Sequence, residues 1–213
     1  MTEWQTWWGQ KLAERCLGNL RKHGFEAHFA ADLESARQLI FGLIQGFETF
    51  GFGGSETTRR LGLIEILQKQ GKIVYDHWQK DLTAEQDLAL RLSQGRCDCF
   101  LCSANAISAT GEIVNVDGIG NRTNAMSFGT RKVVIIAGLN KVTQTLEAAL
   151  ARIREIAAPM RAKSLGMSTP CAETGVCSDC NSPQRICRIT TILHRRPMLS
   201  DVSVVLINQP LGF

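Results

Sequence analysis

The chain has 213 residues, 44% hydrophobic and 21% charged, with a formal net charge of +4. That is ample for one good core, and one α/β domain spanning residues 1–213 is the economical expectation. The charge is mild and forms no basic block beyond short clusters such as Arg59-Arg60 and Arg195-Arg196, which argues against nucleic acid as a partner. No apolar run reaches the roughly 20 residues a membrane-spanning helix needs. The first ten residues, MTEWQTWWGQ, lack the basic-then-apolar order of a secretory signal. A cytoplasmic setting is therefore expected, where thiols stay reduced. Eight cysteines in such a chain suggest metal or redox chemistry before a disulfide framework.

Residues 3–22 place Trp4, Trp7, Trp8, Leu12, Cys16 and Leu20 at mixed three- and four-residue spacings, which predicts an amphipathic helix stopping near Gly24. The tryptophans read as a face folded onto the same domain or onto a dimer mate. A strand is expected at 25–29 and a helix at 33–46, capped by Asp32. Thr49–Thr57 (TFGFGGSET) takes a short apolar strand into Gly51, Gly53 and Gly54, with Ser55 and Glu56 leading into a helical run over 59–70. Glycines there let N–H groups approach a phosphate or carboxylate, though the spacing matches neither GxGxxG nor a Walker loop. A tight strand-to-helix turn explains the same residues. Ile73–Asp76 reads as a strand and 83–93 as a helix capped by Thr83.

Residues 96–101 predict a buried strand with Cys97 and Cys99 on one face and Cys102 on the other, as small hydrophobes rather than shared ligands. The following stretch, Ala104–Met126 (ANAISATGEIVNVDGIGNRTNAM), holds more amides, glycines and small polar residues than a core segment should. Asn105, Asn115, Asp117, Asn121, Arg122 and Asn124 supply donors, acceptors and opposite charges in one span. A site at the rim of a buried sheet and a hairpin turning at Thr110-Gly111 both fit, and both can hold together. Lys132–Ala137 is continuously apolar, as in the middle of a parallel sheet covered on both faces. A helix over 142–157 ends before Pro159, and strands are expected at 189–194 and 202–207. This rhythm gives an α/β fold with an open, mostly parallel sheet.

Residues 160–188 break the rhythm as a cysteine-rich excursion. Cys171, Cys177, Cys180 and Cys187 fall within seventeen residues of loop-like sequence. They are candidate ligands for zinc or an iron–sulfur cluster, the alternative being reduced thiols or adventitious disulfides. Among acid–base candidates, the four histidines have no nucleophile beside them, and Ser55 lacks a nucleophile elbow. Glu112 and Asp117 are the carboxylates best placed for base or nucleophile work, with a solvated strand residue as the plain alternative for Glu112.

The segments GFGGSET (51–57), SANAISAT (103–110), EIVNVDGIGNRTNAM (112–126), GLNK (138–141), RIREIAAPMRAK (152–163) and TPCAETGVCSDCNSPQRIC (169–187) resemble, in order, the LUD-domain family of lactate-utilisation proteins. The cysteine tail resembles that of its short stand-alone members. The resemblance implies a Rossmann-like sheet with helices on both faces, similar to the sugar-phosphate isomerase and CoA-transferase group. It also implies a bacterial accessory or redox role in lactate or other organic-acid utilisation, alongside redox partner proteins. In that reading Gly53, Gly54, Ser55, Thr57, Asn105, Asn115, Asp117, Asn121 and Arg122 hold a small anionic metabolite, and the four tail cysteines a cluster or zinc. The alternative it implies is an enzyme of that fold group acting on an acyl-CoA or a phosphorylated sugar.

Overall fold

The computed structural model describes residues 3–213. Among the described residues, ten strands and nine α-helices follow in chain order. The first half carries α1 (Glu3–Lys22), β1 (Glu26–Ala30), α2 (Leu33–Leu43), β2 (Thr49–Phe52), α3 (Glu56–Arg59), α4 (Leu63–Lys69), β3 (Ile73–Asp76), α5 (Ala84–Gln94) and β4 (Cys99–Cys102). The second carries β5 (Ala106–Ser108), β6 (Ile113–Asp117), α6 (Asn121–Ser127), β7 (Lys132–Gly138), β8 (Val142–Thr143), α7 (Leu146–Arg152), α8 (Ala158–Ser164), α9 (Pro170–Thr174), β9 (Ile189–Leu193) and β10 (Asp201–Ile207).

The main sheet has six strands in the order β1-β10-β7-β4-β2-β3, every pair parallel. Helices lie on both faces, as the strand–helix rhythm predicts. On one face, Ala36 and Ile40 of α2 and Leu63 and Leu67 of α4 pack on Phe50, Leu101, Val134 and Val205. On the other, Leu12, Cys16, Leu17 and Leu20 of α1 meet Phe100, Val133, Ile135 and Val204. A smaller sheet, β8-β5-β6-β9, also packs on that second face through Ile107, Ile113 and Leu193. Its own outer side is covered by Ala149 and Ile153. The fold is therefore the α/β, Rossmann-like arrangement, with a hairpin sheet laid across one face.

Local chemistry sets the boundaries. Asp32 and Ser35 form a reciprocal capping box at the start of α2, and Thr83 and Gln86 do the same for α5. The expected helix over 59–70 is instead two, because Gly62 takes a left-handed conformation (φ 61°) between α3 and α4. The expected strand face shared by Cys97 and Cys99 does not form. Cys97 precedes the strand and packs with Phe100 and Cys102, while Cys99 joins Leu101 on the opposite side. Val142 and Thr143 pair with β5 rather than beginning a helix.

The helix that follows is not stopped by Pro159. A wide turn over 153–157, in which Ala158 N–H donates to Ile153 O, shifts the ladder just ahead of the proline. Pro159 then falls in the first turn of α8, where its missing N–H is tolerated. Trp4, Trp7 and Trp8 stand in solvent (74%, 56% and 52% exposed), so the part of α1 that folds onto the domain is the later half. Among the described residues no helix is long and apolar enough to cross a membrane.

Candidate functional site

In an open parallel sheet, ligands settle beyond the carboxyl ends of the strands, where neighbouring connections leave in opposite directions. Here the chain leaves β2 outward to β3, whereas from β4 it proceeds inward to β7. Between those two exits lies a cavity of about 370 Å³. Its floor is the turn after β2 (Gly54, Ser55, Thr57) and the turn after β4 (Ser103, Ala104, Asn105). Asp117, Asn121, Arg122, Trp78, Arg161, Cys187 and Phe213 also line it.

Glycine is needed at the turn. A Cβ on Gly54 would come within 2.7 Å of Trp78 Nε1, so the indole lies directly on this backbone. Trp78 in turn is held between two guanidiniums, Arg59 at 4.9 Å and Arg161 at 4.8 Å from its ring centre. Arg59 grips Asp76 at the end of β3 with a two-point hydrogen bond, which holds that carboxyl below its usual range against the burial that pushes it up. Arg161 faces Glu56 at 3.5 Å. Ser55 spends its hydroxyl as the cap of α3, accepting from Thr58 N–H.

The deepest polar group is Lys141, only 5% exposed, in the turn that follows β7. Its Nζ donates to Ser103 Oγ at 2.9 Å and to Thr57 Oγ1 at 3.2 Å. No carboxylate pairs with it among the described residues. Burial, followed by the nearby charges of Arg152 and Arg122, pulls its pKa from 10.5 down to about 7. Arg152, behind it, is likewise buried and bonds only carbonyls, those of Asn140 and Asn105. The other cations at the cavity are matched: Arg122 by Asp117, Arg91 by Asp87 and Arg161 by Glu56. Lys141 is thus the lining cation without a carboxylate partner among the described residues, and Arg152, buried behind it and outside the lining, adds a second. His77 also lines the cavity. Burial, then Arg91, lowers its pKa to about 4, and its Nδ1 accepts from Gln94 Nε2, so the neutral ring keeps its proton on Nε2.

A family description reading "LUD domain" matches residues 13–207. The chain belongs to the LUD-domain family. No curated protein sequence matches it. Among solved structures it is similar to a DUF162 family protein from Deinococcus radiodurans, with 11% identity and a TM-score of 0.53. That match covers 93% of this chain and 98% of the other. It supports the fold.

Within this LUD domain, the residues expected to bind a ligand are not all brought together. Gly54, Ser55, Thr57, Asn105, Asp117, Asn121 and Arg122 line the cavity, whereas Gly53 and Asn115 do not. Asn115 is buried. It accepts from Asn105 N–H through Oδ1 and points its amide at Met126 Sδ. Asn105 accepts from Val116 N–H and from Arg122, so the two asparagines stitch the β4–β5 turn to β6. Arg122 is largely occupied: Nε donates to Asp117 at 2.9 Å, and Nη2 to Asn105 and to Val116 O. Asp117 also accepts from Thr123 N–H. Asn121 is held by Arg91 and Gln94 of α5.

Glu112 is a correction to the expected acid–base pair. It lies beside the Thr110-Gly111 turn of the β5–β6 hairpin, outside the cavity. It is partly buried there, and hydrogen bonds from Thr110 and Ser108 outweigh that burial and lower its pKa. The tail cysteines have different neighbours, although Arg185 donates to the carbonyls of both Cys180 and Cys187. Cys187 lines the cavity, Cys177 lines a different depression with Glu147 and Arg154, and Cys171 Sγ lies 3.4 Å from Thr169 Oγ1. Among the described residues no three His, Cys, Asp or Glu side chains are grouped to hold a metal ion.

Lys141, Arg161, Trp78 and His77 are the site residues that sequence reasoning passed over. The usable signal for Lys141 was its place just after the most apolar strand, where a parallel sheet delivers the chain to its ligand edge.

Proposed function

We propose that this LUD-domain protein binds a small anionic metabolite, a carboxylate of the lactate or pyruvate class, in the cavity at the ends of β2 and β4. On this reading it serves lactate or related organic-acid utilisation as an accessory component working with redox partner proteins. One observation carries the reading: Lys141 stands buried in the cavity wall with no carboxylate partner among the described residues and with the buried Arg152 behind it, where a bound anion would be poorly screened by water. Trp78 supplies an apolar lid edge, and Ser103 and Thr57 hold the ammonium in place.

Calorimetric titration with lactate, pyruvate and inorganic phosphate tests it. At least one should bind with uptake of protons near pH 7, because an anion favours the charged form of Lys141. Affinity should fall as pH rises above about 7. Lys141→Met should weaken binding at least tenfold. Equal affinity in that variant would refute the assignment. The reading as an enzyme acting on an acyl-CoA or sugar phosphate would rest on Asp117, which lines the cavity paired with Arg122, rather than on Glu112, which lies outside it.

A further inference from the structure

The anion site just described contains a chemically distinct group that anion binding alone does not require. A lysine meant only as a positive charge is normally left solvated or given a carboxylate partner. Lys141 has neither. Its Nζ is held by two hydroxyls, Ser103 Oγ and Thr57 Oγ1, at the wall of the cavity. We propose that Lys141 is a Schiff-base lysine that condenses with the carbonyl of a small 2-oxo acid bound in this cavity.

This rests on the anion-binding reading and names the substrate class for it. Each part of a 2-oxo acid has a counterpart in the cavity. Lys141 supplies the amine for the carbonyl, and Arg161, which also lines the cavity and whose 3.5 Å contact with Glu56 is looser than the Arg122–Asp117 and Arg91–Asp87 pairs, supplies charge for the carboxylate. The amine is present in neutral form near pH 7, which a surface lysine is not.

The condensation balances without a redox partner. The Nζ lone pair attacks the carbonyl carbon, forming the C–N bond, and the C=O π pair moves to oxygen, which takes a proton. Nζ gives up a proton, and the Ser103 and Thr57 hydroxyls that already accept from it are placed to pass it on. The carbinolamine then loses its hydroxyl with one further proton as water, and the nitrogen lone pair closes the C=N bond. Amine, carbonyl and one proton give a protonated imine and water.

The test is sodium borohydride treatment of the whole protein with pyruvate, followed by peptide mass mapping, with pyruvate affinity measured in parallel by calorimetry. Lactate, which has no carbonyl, is the control. A reduced pyruvyl adduct concentrated on Lys141, absent with lactate and absent in Lys141→Met, supports the proposal. The wild-type map is informative even if the variant does not fold. If pyruvate binds but Lys141 stays unmodified, the Schiff base is refuted while the anion site stands. Neither binding nor adduct refutes both. Modification spread over exposed lysines with no preference for Lys141 also refutes it.

Discussion

Replacing Lys141 with methionine should make the protein more stable at neutral pH, although it removes two hydrogen bonds. The displacement of the amine from 10.5 to about 7, from burial first and then from Arg152 and Arg122, corresponds to a cost of about 5 kcal/mol for the charged form, at about 1.4 kcal/mol per pH unit. Methionine fills a similar volume without charge. Against the gain stand the Ser103 and Thr57 hydroxyls, each losing a donor worth about 1 kcal/mol. A net gain of about 2–3 kcal/mol at pH 7 follows. Between about pH 7 and 10.5 the unfolded chain keeps the proton that the folded chain has released, so wild-type stability rises with pH across that window. Below about pH 7 the full cost is present; above about 10.5 it is gone. Urea unfolding of both proteins over this range, taken as a difference so that other titrating groups cancel, should show the variant's advantage shrinking by about 1.4 kcal/mol per pH unit. A difference that stays flat with pH would refute the burial argument.

Asp117→Asn leaves the Arg122 guanidinium nearly buried without its counter-charge and should cost about 3 kcal/mol in urea unfolding. An effect below about 0.5 kcal/mol would mean that solvent already screens the pair. The eight thiols should divide by burial. Cys171, Cys177, Cys180 and Cys187 are partly exposed and should react with an aromatic disulfide reagent in the native protein. Cys16, Cys97 and Cys102, pushed up to about 12 by burial, and Cys99, pushed well above its ordinary value, should react only after unfolding.

Much of the fold is legible in the sequence because its signals are local. Asp32 and Thr83 announce their helices through side chains that bond three residues on. The apolar run 132–138 is buried at every position, as a central parallel strand requires. Pro159 misled because its effect depends on a turn shifted five residues upstream, which no single residue encodes. The site is legible only in outline. Asn105 and Asn115 look equivalent along the chain, yet one reaches the cavity and the other faces Met126, because strand pairing with β5 decides which way each points. Lys141 reads as an ordinary surface lysine. Its burial arises only when Thr57, 84 residues away, and Ser103, 38 residues away, are brought to it by the sheet order.

The sheet order also bears on how the molecule assembles. β10 lies between β1 and β7, and its register with both runs along its length. Until residues 201–207 leave the ribosome, β1 has no neighbour and one edge of β7 stays open. Residues 26–200 must therefore wait, with apolar strand edges uncovered, for β10 to bridge β1 and β7. A nascent chain of this kind is a natural client for chaperones, and a stall before Asp201 would leave a sticky intermediate rather than a smaller folded protein.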